Sequence, residues 1–125
     1  MERHPMKVVG VGYRSGAGMS ALKDAVDTAG TGAEAIAVSD HKTDLAAVTD
    51  LATTLKIPLI TVSQVDLEKQ TTLTQSPRQQ ERFGVGSLAE AVALAAAGPN
   101  ARLLGPRVIS SCGMATAAFA EGHTP

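Results

Sequence analysis

Residues 7–18 read Lys-Val-Val-Gly-Val-Gly-Tyr-Arg-Ser-Gly-Ala-Gly, and this stretch decides the fold. Its first half is rich in β-branched residues and its second half in glycine, which is the pattern of a buried strand that turns into a helix. Apolar residues then recur at helical spacing, with Ser20 as the predicted N-cap and Gly30 as the stop. The segment therefore predicts a strand, a glycine turn and a helix over about residues 20–29.

The same alternation of strand and helix continues along the chain. A short apolar run at 35–39 and a β-branched run at 57–62 predict two further strands, because apolar residues on both faces are typical of strands buried between helices. Between them, Thr43 is the predicted cap of a helix over 45–55. A short helix over 65–69 is predicted to follow the third strand.

The second half of the chain begins with polar residues and ends with strands. Residues 70–75 are predicted as an exposed loop, and the Ser-Pro pair at 76–77 as the start of one or two helical turns. Ser87 and Glu90 form a capping-box pattern, which predicts an Ala-rich helix that stops at Gly98. The remaining runs, at 102–104, 107–110 and 115–119, predict a strand, a Gly/Cys turn and a returning edge strand.

Together these elements predict the fold class. Strands that alternate with helices imply right-handed βαβ crossovers and an α/β three-layer sandwich, with helices on both faces of the sheet. We expect a mostly parallel sheet of four to five strands, with an antiparallel edge strand at the C-terminus that could pair with a second copy of the chain. We expect residues 1–125 to form one domain, with a core over about 6–120 and flexible terminal residues.

Composition and charge exclude several classes of function. The chain is 44% hydrophobic and 18% charged, which is typical of a globular protein and not of a disordered one. A formal net charge of −1, no Trp and only three other aromatic residues argue against nucleic-acid binding. No stretch is long and apolar enough for a membrane span, and the first residues lack a signal peptide. With a single cysteine, Cys112, the expected location is the cytoplasm.

Two glycine-rich turns before helices are the candidate binding elements. Glycines let backbone amides approach an anion, and the N-terminus of the following helix attracts negative charge. Each turn is also explained by local structure alone, the first as a tight turn and the second as a helix cap. A loop after the second strand adds a hydroxyl and a charge. The candidate ligand-binding residues are Gly12, Tyr13, Arg14, Ser15 and Gly16 from the first turn, Ser39 and Lys42 from the loop, and Gly84, Gly86 and Ser87 from the second turn.

No catalytic or metal-binding pattern stands out. Asp40 and His41 are adjacent, which favours a solvated loop over an oriented general base. Ser110 and Ser111 lack the elbow pattern of a hydrolase, and Cys112 is interpreted as a small buried hydrophobic residue. The three histidines and the cysteine do not show metal-ligand spacing, so we expect neither a metal nor a cofactor.

The order of these motifs resembles the CobE family and the similar carboxy-terminal domain of CbiG proteins. The resemblance rests on Val8 to Gly16, on Pro58-Leu59 in the third strand and on Gly84-Val85-Gly86-Ser87-Leu88-Ala89-Glu90-Ala91, and it spans about residues 6–120. It implies a role in the biosynthesis of cobalamin, with a precorrin-type tetrapyrrole as ligand and other enzymes of that pathway as partners. CbiG proteins are associated with lactone opening but also have an amino-terminal domain that this sequence lacks, so whether the chain is an enzyme stays open.

A different class of function fits the same turns. A small regulatory or anion-binding α/β module would use them to bind a nucleotide or phosphate without catalysis. A structural subunit whose Ala-rich helices pack against a partner is the third reading. A tetrapyrrole that co-purifies with the protein would favour the pathway role, and a phosphate-containing ligand would favour the regulatory module.

Overall fold

The computed structural model describes residues 5–14, 16–40, 45–70, 72, 87–98 and 100–123. Within them the chain forms six strands and four helices, in an order that alternates strand and helix up to the last helix. In chain order these are β1 Pro5–Tyr13, α1 Met19–Ala29, β2 Ala35–Ser39, α2 Ala46–Leu55, β3 Leu59–Val62, α3 Gln64–Glu68, α4 Leu88–Ala97, β4 Arg102–Leu103, β5 Val108–Ile109 and β6 Ala115–His123.

All six strands join one sheet, in the order β3-β2-β1-β6-β4, with β5 also paired to β6. Strands β1, β2 and β3 are parallel to one another, and β6 is antiparallel to β1, β4 and β5. Five strands therefore run in one direction and β6 runs against them. The predicted α/β class and mostly parallel sheet are confirmed, but the prediction of four to five strands was too low because β4 and β5 are separate two-residue strands.

The position of β6 corrects the predicted edge strand. This strand is antiparallel, as expected, but it lies inside the sheet. It pairs with β1 over nine positions, from Pro5 opposite His123 to Tyr13 opposite Ala115. Its other side pairs with β4 and β5. The prediction that a second copy pairs with this strand is therefore wrong, since both sides of β6 are already occupied.

Two groups of buried side chains pack on the two faces of the sheet, because successive residues of a strand point to opposite sides. One group contains Val9, Val11 and Phe119 together with the buried residues of α1 and α2. The other contains Val8 and Ala120 together with the buried residues of α3 and α4. We call these the α1 face and the α4 face of the sheet.

Helix starts differ in part from the sequence predictions. The N-cap of α1 is Gly18, so the prediction of Ser20 was wrong. The N-cap of α2 is Leu45, and Thr43 lies outside the described residues, as does the predicted turn at 76–77. Ser87 is confirmed as the cap of α4, since its Oγ accepts the backbone N–H of Glu90 at 3.4 Å.

Helix α4 packs directly on the sheet at positions that lack side chains. A Cβ built on Gly10 would lie 2.6 Å from Ala93 N, and one built on Gly122 would lie 3.0 Å from the carbonyl carbon of Ala97. Such distances leave room for hydrogen only. Gly12 lies beneath Leu88, the first residue of α4, whereas Gly122 pairs with Met6 near the start of β1. The helix thus runs opposite to β1, and its N-terminus lies over the carboxyl end of that strand.

Candidate functional site

The carboxyl ends of the parallel strands form the candidate site. We define the carboxyl edge as Arg14 and Gly16 to Gly18 after β1, Ser39 and Asp40 at the end of β2, Ser87 before α4 and the turn Ser110 to Met114 between β5 and β6. Helices α1 and α4 both begin here, α1 on one face of the sheet and α4 on the other. In open sheets of this kind, ligands bind outside the carboxyl ends of the strands.

The turn after β1 is held by backbone hydrogen bonds. Arg14 N donates to Met114 O at 2.9 Å, and Ala17 N donates to Arg14 O at 3.0 Å. Gly16 has φ +88°, a left-handed conformation that favours glycine. The Arg14 side chain is exposed, and its guanidinium has no carboxylate partner in the described part of the chain. The turn therefore presents a cation beside the N-terminus of α1.

Gly12 and Tyr13 belong to β1 and not to the turn. The Gly12 carbonyl accepts a hydrogen bond from Thr116 Oγ1 at 3.3 Å, and a Cβ built on Gly12 would lie 3.0 Å from the same oxygen. Tyr13 is buried on the α1 face. These two candidate residues therefore lie buried in the sheet, directly beneath the carboxyl edge.

The other candidates divide between the edge and the segments outside the described residues. Ser39 is buried at the end of β2, next to Asp40, whose N–H donates to Val62 O at 2.9 Å. Ser87 is fully buried at the start of α4. The structure thus brings Gly12, Tyr13, Arg14, Gly16, Ser39 and Ser87 to one edge. Ser15, Lys42, Gly84 and Gly86 lie outside the described residues.

The turn between β5 and β6 was not predicted as part of the site. Both the backbone N–H and the hydroxyl of Ser111 donate to Asp24 Oδ2 at 2.8 Å, which fixes the turn to α1. These two bonds hold the pKa of Asp24 below its usual range. A strand-turn-strand pattern was visible in the sequence, but the partner of the turn, 87 residues away, was not.

Cys112 lies in this turn and is exposed, so its interpretation as a buried hydrophobic residue was wrong. A hydrogen bond with Ser110 Oγ, at 3.4 Å, and a second with the Met114 backbone lower the pKa of the thiol. The error has a physical reason: a hairpin turn of small polar residues leaves a side chain at its tip without neighbours to bury it.

Glu90 forms a hydrogen bond that its position in the capping-box pattern does not predict. The capping-box pattern predicts that its carboxylate reaches back to the N-cap amide. In the structure Glu90 is fully buried, and its Oε2 accepts the backbone N–H of Arg107 at 2.7 Å. The first turn of α4 is therefore tied to the edge of the sheet by a buried carboxylate.

The chemistry of the carboxyl edge favours an anion. Two helix N-termini carry partial positive charge, and Arg14 adds a full one. Among the described residues, no group of three or more His, Cys, Asp or Glu side chains could hold a metal ion. In the same part of the chain, none of the helices has the length and apolar character needed to cross a membrane.

Comparisons with known proteins agree with this geometry. The family model described as "Cobalamin synthesis G C-terminus" matches residues 7–120. The crystal structure of CobE, described as a protein from the cobalamin (vitamin B12) biosynthetic pathway, superposes with a TM-score of 0.83 at 27% identity, over 94% of this chain and 93% of that one. The cobalamin biosynthesis protein chiG from Agrobacterium tumefaciens str. C58 gives a TM-score of 0.72 at 35% identity, over 92% and 97%.

A more distant relative shows the same fold. A cobalamin biosynthesis protein G homolog from Sulfolobus solfataricus gives a TM-score of 0.68 at 17% identity, over 94% of this chain and 36% of that one. No match was found among curated proteins.

The fold and the edge define a small α/β domain whose anion-attracting groups meet at the carboxyl ends of parallel strands. Because the family model spans nearly all of the chain, the protein belongs to the family of the cobalamin synthesis G carboxy-terminal domain, which includes proteins like CobE and CbiG. The predicted resemblance is confirmed.

Proposed function

We propose that the protein binds a precorrin-type tetrapyrrole of cobalamin biosynthesis at the carboxyl edge and handles it between other enzymes of the pathway. The observation that carries the proposal is that α1 begins beside the exposed Arg14 side chain at this edge, where Gly18, the N-cap of α1, is also exposed. A precorrin-type ring has several acetate and propionate arms, and each arm is an anion of the kind that helix N-termini and arginine bind.

The floor of the edge also suits a large flat ligand. Gly12 is buried beneath Leu88 and Thr116, so the accessible part of this region comes from the neighbouring strand β5. Ile109 lies next to Thr116 in the sheet and is 55% exposed, so it offers apolar area to a ring. Apolar floor and positive surroundings together match an amphiphilic polycarboxylate.

The binding of a tetrapyrrole can be followed in a fluorescence titration, because the chain contains a natural fluorescent reporter. It has no Trp and a single Tyr, and that residue, Tyr13, ends β1 at the carboxyl edge. A tetrapyrrole that binds near it would quench the tyrosine fluorescence, and the absorption bands of the ring would change in the same titration. Hydrogenobyrinic acid, a metal-free ring with its carboxylates intact, is the probe.

The test compares two arginines that differ in position. Arg14→Ala removes the cation at the carboxyl edge, and we expect it to weaken binding about tenfold. Arg102→Ala is the matched control, because Arg102 lies in β4 near the opposite end of the sheet, where its Nε donates to Glu121 Oε1 at 3.0 Å. Equal affinity of all three proteins would contradict the placement of the ligand, and no saturable binding would contradict the proposal itself.

The same titration separates the alternatives. A hydrolase-like step on the bound ring would show as a slow absorbance change that continues after binding is saturated. A nucleotide- or phosphate-binding module would instead respond to ATP or inorganic phosphate and ignore the ring.

A further inference from the structure

The edge of the sheet is interrupted beside α4. Leu103 pairs with Ala120 and Val108 pairs with Ala117, so five steps along β4 and β5 correspond to three along β6. Two extra residues are therefore accommodated in the segment 104–107, which contains Gly105 and Pro106. Such bulges commonly redirect a side chain beside a functional site.

The buried carboxylate of Glu90 fixes the end of this segment. Oε2 accepts the N–H of Arg107 at 2.7 Å, and Glu90 is fully shielded from solvent. The acceptor of this hydrogen bond is shielded from water, which strengthens the bond, whereas Arg107 itself is partly exposed. Arg107 is consequently held against the first turn of α4, while its side chain stays partly exposed.

The Arg107 guanidinium is available for a ligand. It has no carboxylate partner in the described residues, in contrast with Arg102, which pairs with Glu121. The hydrogen bond from Arg107 to Glu90 uses the backbone N–H of Arg107, so it does not engage the guanidinium.

Arg14 and Arg107 flank the N-terminal turn of α4 from two sides. Arg14 lies opposite Met114, and Arg107 precedes Val108, which pairs with Ala117. With a rise of about 3.4 Å per residue and about 4.8 Å between strands, their Cα atoms are about 17 Å apart. This separation suits two arms on one tetrapyrrole and is too long for one carboxylate.

We infer that Arg107, which lies level with Gly10 beside the first turn of α4, is a second carboxylate-binding residue and that Glu90 positions it through its backbone amide. This inference rests on the proposed function and specifies how the ligand is held: one arm of the polycarboxylate ring binds Arg14 at the carboxyl edge and another binds Arg107.

The experiment is a titration of the full chain with hydrogenobyrinic acid at two salt concentrations. Arg107→Ala is expected to weaken binding about tenfold and to reduce the salt dependence, because one ion contact is lost. Arg102→Ala should leave both quantities within twofold of the wild type. Arg107→Lys, which restores the charge without the planar fork, should recover part of the affinity.

A variant of the ligand gives a readout that a structural role of Arg107 would not move. When the carboxylates of the ring are converted to amides, Arg107→Ala should cost less than threefold, since the partner of the guanidinium is gone. Glu90→Gln keeps an oxygen that accepts the Arg107 amide, and we expect it to retain most of the affinity.

The outcomes separate the two claims. Binding by the wild type together with an unchanged affinity of Arg107→Ala overturns the role of Arg107 and leaves the proposed function standing. An equal loss for the carboxylate and the amide forms of the ring also overturns it. Absence of binding by the wild type overturns the proposed function and this inference with it.

Discussion

The two halves of the first glycine-rich segment serve different purposes. Gly10 lies in β1 under α4, where an added Cβ would be 2.6 Å from Ala93 N and 2.7 Å from Val92 Cγ2. Gly16 and Gly18 lie in the turn, where an added Cβ would meet nothing within 4 Å. The first half therefore lets a helix approach the sheet, and the second half shapes the open edge. Glycine is required by close packing at Gly10, whereas in the turn it serves the backbone conformation.

The largest effect on stability is expected when a side chain is added at Gly10, in the half of the segment that packs against α4. Gly10→Ala forces the backbone of α4 away from β1, and we expect it to lower the free energy of unfolding by about 3 kcal/mol. The control is Gly18→Ala, at a position with φ −90° and open space, for which we expect a change below about 1 kcal/mol. Chemical denaturation of the two variants measures both. Similar stabilities would contradict the division between the two halves.

A smaller loss of stability is expected when the hydrogen bond between Glu90 in α4 and the Arg107 amide is removed. Glu90→Ala removes the acceptor of the Arg107 N–H and leaves that part-buried amide without its side-chain partner. We expect a loss of about 2 kcal/mol in the free energy of unfolding. Glu90→Gln, which retains an acceptor, should cost less. Hydrogen exchange of the Arg107 amide checks the cause, and an unchanged exchange rate in Glu90→Ala would speak against it.

Stability should change only slightly when a residue of the turn after β1 is substituted. Gly16 has φ +88° with open space around it, so Gly16→Ala meets a conformational cost and no clash. We expect a loss of about 1 kcal/mol in stability. A loss as large as that of Gly10→Ala would show that the turn is packed more tightly than its geometry indicates.

The smallest effect concerns the pH dependence of stability through Asp24. Hydrogen bonds from the Ser111 backbone and hydroxyl lower the pKa of this carboxyl below its usual range. A lowered pKa stabilises the folded state above the unfolded pKa, and this contribution disappears as the pH falls through the folded pKa. Between about pH 5 and strong acid, the wild type should therefore lose more thermal stability than Asp24→Asn, which does not titrate. Parallel curves for the two proteins would be inconsistent with the bond to Ser111.

Local patterns in the sequence predicted the elements better than their arrangement. The β-branched run at the start, the Ser87 cap and the stop at Gly98 depend on neighbouring residues and were found correctly. The internal position of β6 depends on its pairing with β4 and β5, and the runs at 102–104 and 107–110 do not show in the sequence which strand they pair with. Sequence spacing also cannot show that Gly10 faces α4, because the contact joins residues about 80 positions apart.

The candidate site follows the same rule. Arg14 and Ser87 were found because glycine turns and caps are local signals. The bonds of Asp24 to Ser111 and of Glu90 to Arg107 are contacts between distant segments, and neither partner carries a local mark of its role. The exposure of Cys112 likewise depends on where the turn between β5 and β6 meets α1.

The most direct test of the central claim is a map of ligand contacts on the wild-type protein. Hydrogen exchange followed by mass spectrometry, with and without hydrogenobyrinic acid, reports protection along the whole backbone. The account predicts protection in 14–18, 87–90 and 110–112, at the carboxyl edge, and at 107, beside the first turn of α4, and none in 56–58 or 100–102, at the opposite end of the sheet. Protection confined to the opposite end, or spread evenly over the chain, would contradict the binding of the tetrapyrrole at the carboxyl edge.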